Sequence, residues 1–155
     1  MTDAATAHET GQGRFQVAID VAGHTIIGDE PIEVGGLGTG PTPFQLLAAA
    51  LAACTTMTLR MYARQKSWPV AAIRTTAGHE RQPGQNPVDL FTRCISLEGD
   101  LTNEQRNRLL EIADRCPVHR TLTAGARVQT TLGTAPGPCE AAAAHAEQMA
   151  EVAGA

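Results

Sequence analysis

The stretch from Val34 through Leu59 contains no charged residue, and it limits what this chain can fold into more than any other feature. Its first part, Gly35–Pro43, holds four glycines and two prolines and is typical of a loop. The part that follows is rich in alanine and leucine, so a helix formed from it is apolar on every side. Such a helix must be enclosed by other protein or by lipid.

A helix N-terminus opens this apolar part. Thr42 can serve as the N-cap, Pro43 takes the first helical position, and Gln45 follows the cap by three residues, which is the pattern of a capping box. The apolar run after it measures about 14 residues, whereas about 20 are needed to span a bilayer. The sequence therefore predicts a central helix over residues 43–66 that is buried within protein, and no membrane partner.

Alternating and helical patterns flank the central helix. The predicted order is strand, strand, long helix, strand, strand, helix, short helix, strand, which is an α+β fold. The second helix follows a further capping box that starts at Thr102, and its apolar positions repeat at helical spacing through Leu109, Ile112, Ala113 and Cys116. The predicted strands are 15–21, 25–27, 70–81, 88–98 and 126–132, and the short helix is Pro117–Leu122.

Length and composition set the domain organisation. With 155 residues the chain fits one domain or one subunit of a compact oligomer. Only 3% of the residues are aromatic, so a lone chain buries a modest core, which favours an oligomer. We expect a disordered leader over residues 1–13, one folded domain over 14–133, and an Ala/Pro/Gly-rich tail over 134–155 that is loosely helical or disordered.

Charge and the N-terminal residues argue against two further classes of function. The chain has 12 basic and 16 acidic residues, whereas proteins that bind nucleic acid carry a basic excess, so we expect no nucleic-acid partner. Residues 1–13 lack the cationic and apolar regions of a secretory signal. We therefore expect a cytoplasmic protein whose thiols are kept reduced.

The four cysteines, Cys54, Cys94, Cys116 and Cys139, are widely spaced. No Cys-x-x-Cys pair occurs, which excludes zinc ribbons and thioredoxin-type redox motifs. Two alternatives remain, namely inert buried thiols or a reactive pair that the fold brings together.

Two of these thiols lie on predicted helices. Cys54 is on an apolar helix face, where a thiol usually serves as a small core residue and burial raises its pKa. Cys116 directly precedes Pro117, so helix amides lower the pKa of Cys116, and a reactive and a structural role stay equally open. Cys94 and Cys139 are interpreted as bystanders. The helix face that carries Cys54 comprises Phe44, Leu47, Leu51, Cys54, Thr58 and Met61.

With these two helices the sequence resembles the osmotically inducible protein C (OsmC) and organic hydroperoxide resistance (Ohr) family. Gly40–Cys54 is similar to the first-cysteine helix of the family, and Cys116–Leu122 (Cys-Pro-Val-His-Arg-Thr-Leu) is similar to its second-cysteine motif. Asp29–Pro31, with the glycines after it, is similar to the approach to the first helix in the general OsmC-like branch. The resemblance covers roughly residues 14–132.

The resemblance implies a fold, a partner and a chemistry. The fold is an intertwined homodimer in which antiparallel sheets wrap two central helices. The chemistry is thiol-dependent reduction of organic hydroperoxides, in which Cys54 attacks the peroxide and Cys116 resolves the product to a disulfide that a cellular dithiol reduces. Neither a metal nor an organic cofactor is implied, because sulfur carries both electrons.

The chain also departs from the dedicated hydroperoxide reductases. Those proteins carry a glutamate ten residues before the first cysteine, paired with an arginine from the N-terminal hairpin, and here Phe44 stands at the first position and His24 lies in the hairpin turn. This favours an alternative function, a module that binds a hydrophobic small molecule in the cleft near Cys54. A zinc site formed by Cys54, Cys116, His119 and His24 is a third hypothesis.

Overall fold

A computed structural model of the chain describes residues 4–133 and 144–154. The described residues form five β-strands and four α-helices, with antiparallel pairing throughout, which confirms the predicted α+β class. The strands are β1 (Ala5–Glu9), β2 (Val17–Val21), β3 (His24–Gly28), β4 (Val70–Arg81) and β5 (Asp89–Gly99). The helices are α1 (Pro43–Gln65), α2 (Asn103–Ala113), α3 (Pro117–Ala124) and α4 (Ala144–Ala153).

The chain divides into two compact units. The first comprises Met1–Leu46 with Val128–His145, and the second comprises Leu47–Arg127 with Ala146–Ala155. The first unit contains a three-stranded sheet in the order β1-β2-β3, in which Ala5 pairs with Val21 and Val17 pairs with Gly28.

Strand β1 corrects the prediction of a disordered leader over residues 1–13. All five of its side chains are exposed, so composition gives no sign of the strand. It forms because its main chain pairs antiparallel with the whole length of β2, and edge pairing of this kind requires no apolar side chain.

A buried carboxylate organises the loop that follows β3. Asp29 is 3% exposed and accepts hydrogen bonds from the main-chain N–H groups of Glu30 at 2.8 Å, Leu37 at 3.1 Å and Thr39 at 3.2 Å. The Thr39 hydroxyl donates to Asp29 at 2.8 Å and accepts from Gln16 at 2.8 Å. Burial by itself raises the pKa of Asp29, but these hydrogen bonds outweigh it and hold the pKa below 3.8. The loop amides are therefore satisfied within the chain.

In the second unit, α1 packs against α2 and the β4–β5 hairpin. The capping box at Thr102 forms as predicted, and Leu109, Ile112, Ala113 and Cys116 are all fully buried. Hydrogen bonds also fix α1 to β4, because Arg60 donates to the main-chain oxygens at the start of that strand. The core residues are Leu59, Tyr62, Ala63, Val70, Leu109, Ile112 and Ala113.

Helix α1 begins at the predicted capping box and ends one residue earlier than predicted. Gln45 accepts from the N–H of Thr42 at 2.9 Å, and its own N–H donates to the Thr42 hydroxyl at 3.3 Å. Inside the helix, the hydroxyls of Thr55 and Thr56 donate to main-chain oxygens one turn earlier, at 2.7 and 2.9 Å. Polar side chains are thus satisfied within an otherwise apolar helix.

The full length of α1 also allows a comparison with membrane spans. By length and composition alone the 23-residue helix is apolar enough to cross a membrane, and 44% of its most apolar window is buried. Core helices of soluble proteins meet the same criterion. We interpret α1 as a core helix because its second half contacts α2 and hydrogen bonds to β4.

Burial along α1 differs in part from the predicted face. Leu51, Cys54 and Thr58 are buried, whereas Phe44 and Leu47 are 46% and 42% exposed. The first turn of the helix therefore presents apolar side chains outward, and the buried face begins at Ala48.

Two further predictions lie near the C-terminus. The predicted strand over 126–132 is wrong, because these residues are not in a regular element and none of the described strands pairs with them. Alternation alone cannot make a strand where no neighbouring strand completes the hydrogen bonds. Within the predicted tail, α4 is a helix, while residues 134–143 lie outside the described residues.

Replacing Asp29 with Asn tests the carboxylate-centred loop. A carboxylate with a lowered pKa contributes stability above its ordinary value of 3.8 and loses it as the pH falls through the lower folded-state value. Asp29→Asn should therefore lower the unfolding midpoint at neutral pH and flatten its decline in acid, as measured by circular dichroism. Asp20→Asn, at a 54% exposed carboxylate, is the matched control, and equal midpoints for the two variants would contradict this role.

Candidate functional site: a buried thiol pair

Helix α1 places Cys54 in the interior of the second unit. Cys54 is 4% exposed, and the fully buried Thr55 and Thr58 lie beside it on the same helix. The Thr58 hydroxyl donates to the Met149 sulfur at 3.6 Å, and it lies close enough to Cys54 to act against the rise in the pKa of that thiol. Cys54 therefore sits in a dry setting that offers few hydrogen-bond donors.

The turn between α2 and α3 places Cys116 against Cys54. Cys116 is fully buried, its N–H donates to the Ala113 oxygen at 3.2 Å, and it is the N-cap residue of α3, with Pro117 in the first turn. The sulfur makes no regular side-chain capping bond, but the amides of His119 and Val118 face it closely enough to stabilise negative charge.

The two thiols shift each other's pKa in opposite directions. The hydrogen bond from Cys54 is the largest influence on Cys116, and with the amides of His119 and Val118 and the hydroxyl of Thr55 it overcomes burial and lowers the pKa of Cys116 to about 6. The same contact, together with burial, raises the pKa of Cys54. Both directions match the sequence predictions, and Cys116 is the thiol of the pair with the lower pKa.

A guanidinium that the sequence reasoning missed lies beside the pair. Arg93, in the middle of β5, is 13% exposed in its side chain. Its Nη1 donates to the Thr55 hydroxyl at 3.1 Å and to the Ala113 oxygen at 3.0 Å, and its Nη2 donates to Asp114 Oδ1 at 2.8 Å. A sequence signal did exist. Phe91, Ile95 and Leu97 are apolar residues on one face of the strand, and Arg93 places a charged residue on that same face.

A cavity of about 400 Å³ lies close to the pair, although neither Cys54 nor Cys116 lines it. It is bordered by Leu51, one turn before Thr55 on α1, and by His119, three residues after Cys116. Its lining is mainly apolar, with Arg93 among the polar exceptions. The lining residues are Leu51, Pro87, Asp89, Leu90, Phe91, Arg93, His119, Leu122 and Thr123.

The part of helix α4 that belongs to the second unit, from Ala146 onward, packs near the thiol pair. Val152 is 3% exposed, Met149 reaches Thr58, and Glu151 pairs with Arg120 of α3 at 3.7 Å. This helix, which the sequence treated as a tail, therefore belongs to the surroundings of the thiol pair.

The remaining candidates from the sequence do not join the pair. Cys94 is exposed on the face of β5 opposite to Arg93, and Cys139 lies outside the described residues. His24 is exposed on β3, and the nearest acid to His119 is Asp114 at 3.9 Å. Among the described residues no group of three or more His, Cys, Asp or Glu side chains is arranged to hold a metal ion.

A family model for OsmC-like protein matches residues 36–131, which include both thiols. The chain belongs to the OsmC-like family. The match confirms the resemblance drawn from the two cysteine motifs, and it ends before α4, so that helix lies outside the part that defines this OsmC-like protein as a member.

Solved structures of OsmC-like proteins have the same fold. One from Mycoplasma pneumoniae gives a TM-score of 0.65 at 18% identity, covering 79% of this chain and 87% of that chain. The organic hydroperoxide resistance protein OsmC of Legionella pneumophila gives 0.60 at 22% identity, with 79% and 89% covered. An organic hydroperoxide resistance protein from Elizabethkingia anophelis gives 0.60 at 20% identity, with 78% and 88% covered. No curated protein matches the chain.

The contact between the two thiols predicts how the pKa of Cys116 responds to a change at Cys54. Cys54→Ala removes the largest influence that lowers the pKa of Cys116, so the pKa should rise from about 6 toward the ordinary thiol value of 9.0. The ultraviolet absorbance of the thiolate measured against pH gives this value, with Cys139→Ser in the background. Cys94→Ser is the control, and an unshifted titration in Cys54→Ala would show that the helix amides alone hold the charge.

Proposed function

We propose that this OsmC-like protein reduces organic hydroperoxides through a Cys54–Cys116 disulfide. The observation that carries the proposal is a pair of buried thiols that interact directly, in which the hydrogen bond from Cys54, followed by the amides at the start of α3, lowers the pKa of Cys116 to about 6. A thiolate is the nucleophilic form of cysteine, and a second thiol within reach turns the oxidised product into a disulfide. The neighbouring cavity is large and apolar enough for a small organic peroxide.

In this scheme Cys54 attacks and Cys116 first acts as its base. The Cys116 thiolate takes the proton of Cys54, and the new Cys54 thiolate attacks the distal peroxide oxygen. The O–O bond breaks, an S–O bond forms, and the leaving alkoxide takes the proton from Cys116 to depart as an alcohol. Cys54 is then a sulfenic acid and Cys116 is again a thiolate.

The second half of the scheme restores the reduced protein. The Cys116 thiolate attacks the Cys54 sulfur, so that the S–S bond forms, the S–O bond breaks and hydroxide leaves to be protonated by water. A cellular dithiol then gives two electrons and two protons to the disulfide and becomes a disulfide itself. We place this cycle in the cytoplasm, where such dithiols are kept reduced.

Single cysteine variants test these roles in a background of Cys94→Ser and Cys139→Ser. Cys54→Ser should lower the rate of peroxide consumption by at least about a hundredfold, because it removes the nucleophile. Cys116→Ser should form no disulfide and should form a sulfenic acid at Cys54 only slowly, since it lacks the base, with a loss of about a hundredfold at neutral pH. Peroxide loss and mass spectrometry of the trapped sulfenic acid give both results.

The parent with both native thiols is the reference for these variants. Rapid peroxide consumption by Cys54→Ser, with the sulfenic acid found on Cys116, would contradict the assignment of Cys54 as the attacking residue. Unchanged consumption in both variants would contradict the thiol mechanism altogether.

A second candidate function is binding of a hydrophobic small molecule. The apolar cavity beside the pair favours it, as does Phe44, which stands where dedicated reductases carry a glutamate. A binding module would show no peroxide turnover and a rise in melting temperature with apolar ligands that persists in Cys116→Ser. A peroxidase would lose its activity in that variant.

We also propose that the protein acts as a homodimer. Phe44, Leu47 and Met57 on α1 are 46%, 42% and 58% exposed, and a second copy would cover such apolar side chains. Light scattering should therefore give twice the chain mass of 16.3 kDa. Met57→Lys should shift the mass toward the monomer at low concentration, whereas Leu110→Lys, at a 51% exposed position of α2, should not, and a monomeric wild type would refute the assembly.

A further inference from the structure

Arg93 hydrogen bonds to the residue after Cys54 and to the turn that leads into Cys116. Thr55, which accepts from Nη1, directly follows Cys54 on α1. The Ala113 oxygen, which accepts from the same nitrogen, also accepts the N–H of Cys116. One guanidinium thus donates to the side chain that follows Cys54 and to the carbonyl oxygen that also accepts the N–H of Cys116.

The chemistry of arginine suits this arrangement. A guanidinium is planar and carries its donors in a fixed fork, so three simultaneous contacts fix the relative position of the groups that accept them. Lysine has a single rotating ammonium group and does not impose the same geometry. Here the three acceptors belong to α1, to the last turn of α2 and to the residue that follows it.

We propose that Arg93 is a positioning residue for the thiol pair, which ties the Cys54-bearing turn of α1 to the turn that carries Cys116 and so holds the two sulfurs ready for disulfide formation. The inference deepens the proposed function and rests on it for its biological meaning. Disulfide formation itself can be driven without any peroxide, so the two fail separately.

Removal of the guanidinium leaves no uncompensated buried charge. The Asp114 side chain is 65% exposed and can be hydrated. The Ala113 oxygen still accepts a hydrogen bond from the N–H of Cys116, and the Thr55 hydroxyl still donates to the Leu51 oxygen. An exposed carboxylate also gains little stability from an ion pair. Arg93→Met is therefore expected to fold, with the Thr55 turn of α1 and the turn that carries Cys116 no longer tied to each other.

The first test measures oxidation by diamide, an azo compound that takes two electrons and two protons as the disulfide forms. In the Cys94→Ser, Cys139→Ser background, Arg93→Met should slow Cys54–Cys116 disulfide formation about tenfold, because misplacement of reacting groups is costly. Arg106→Met is the matched control, since Arg106 also bridges to β5, through the Leu97 and Gly99 oxygens at 3.0 and 3.2 Å. It should stay within about twofold of the parent.

The second readout is the titration of Cys116, which a purely structural tie elsewhere would not move. Loss of Arg93 frees Thr55 and the Cys116 turn, so the pKa of Cys116 should rise from about 6 in Arg93→Met and stay unchanged in Arg106→Met. Arg93→Lys keeps the charge but not the fork and should fall between Arg93→Met and the parent in both measurements. The charged and titratable groups around Cys116 are Cys54, Arg93, Asp114, Arg115, His119, Arg120 and Glu151.

A double-mutant cycle with Thr55→Val locates the effect. If Arg93 acts through Thr55, the losses in Thr55→Val and Arg93→Met should not add in the double variant. Diamide rates and Cys116 titrations equal to those of Arg106→Met would overturn the inference. Should Arg93→Met fail to fold by circular dichroism, Arg93→Lys decides by the same comparison.

The peroxide assay separates this inference from the proposed function. A wild type without peroxide turnover whose diamide rate still depends on Arg93 would refute the peroxidase function and support the positioning role. A wild type with peroxide turnover whose diamide rate does not depend on Arg93 would support the peroxidase function and refute the positioning role.

Discussion

The packing of α1 on α2 determines the geometry of the second unit. Leu59 and Tyr62 of α1 meet Leu109 and Ile112 of α2, and three of these four side chains are fully buried while Tyr62 is nearly so. Because α2 ends within one turn of Cys116, its angle on α1 sets where the second sulfur lies relative to the first. A close-packed interface of this kind has little room to shift, which is what a disulfide of fixed geometry requires.

The thiol pair derives its chemistry from an unequal environment for two identical groups. Cys54 lies inside a helix whose amides are already used by helix hydrogen bonds, whereas Cys116 stands at an N-terminus whose amides are still free. Together with the hydrogen bond from Cys54, which is the largest influence, these amides make Cys116 the thiol with the lower pKa, while the family pattern assigns the first attack to Cys54. In the proposed mechanism, proton transfer between the two sulfurs reconciles the assignments without a third ionisable group.

Local patterns in the sequence predict local features of the fold well. Both capping boxes form, β4 has the predicted bounds, and Cys116 becomes an N-cap residue, because each depends on neighbours within a few residues. Prediction fails where distant partners decide the outcome. Strand β1 needs only the main chain of β2, and Arg93 meets Thr55 38 residues away in the chain.

The threonines of α1 have a consequence for how this helix can be covered. The hydroxyls of Thr55 and Thr56 donate hydrogen bonds to carbonyl oxygens of their own helix, so the surface that packs there need not supply acceptors for them. Apart from the hydrogen bonds of Thr55 with Arg93 and of Thr56 with Thr75, such a surface has to match α1 only in shape. Its sequence is then free to drift over evolutionary time as long as side-chain volume is conserved, and the low identity among proteins of this fold is the expected outcome.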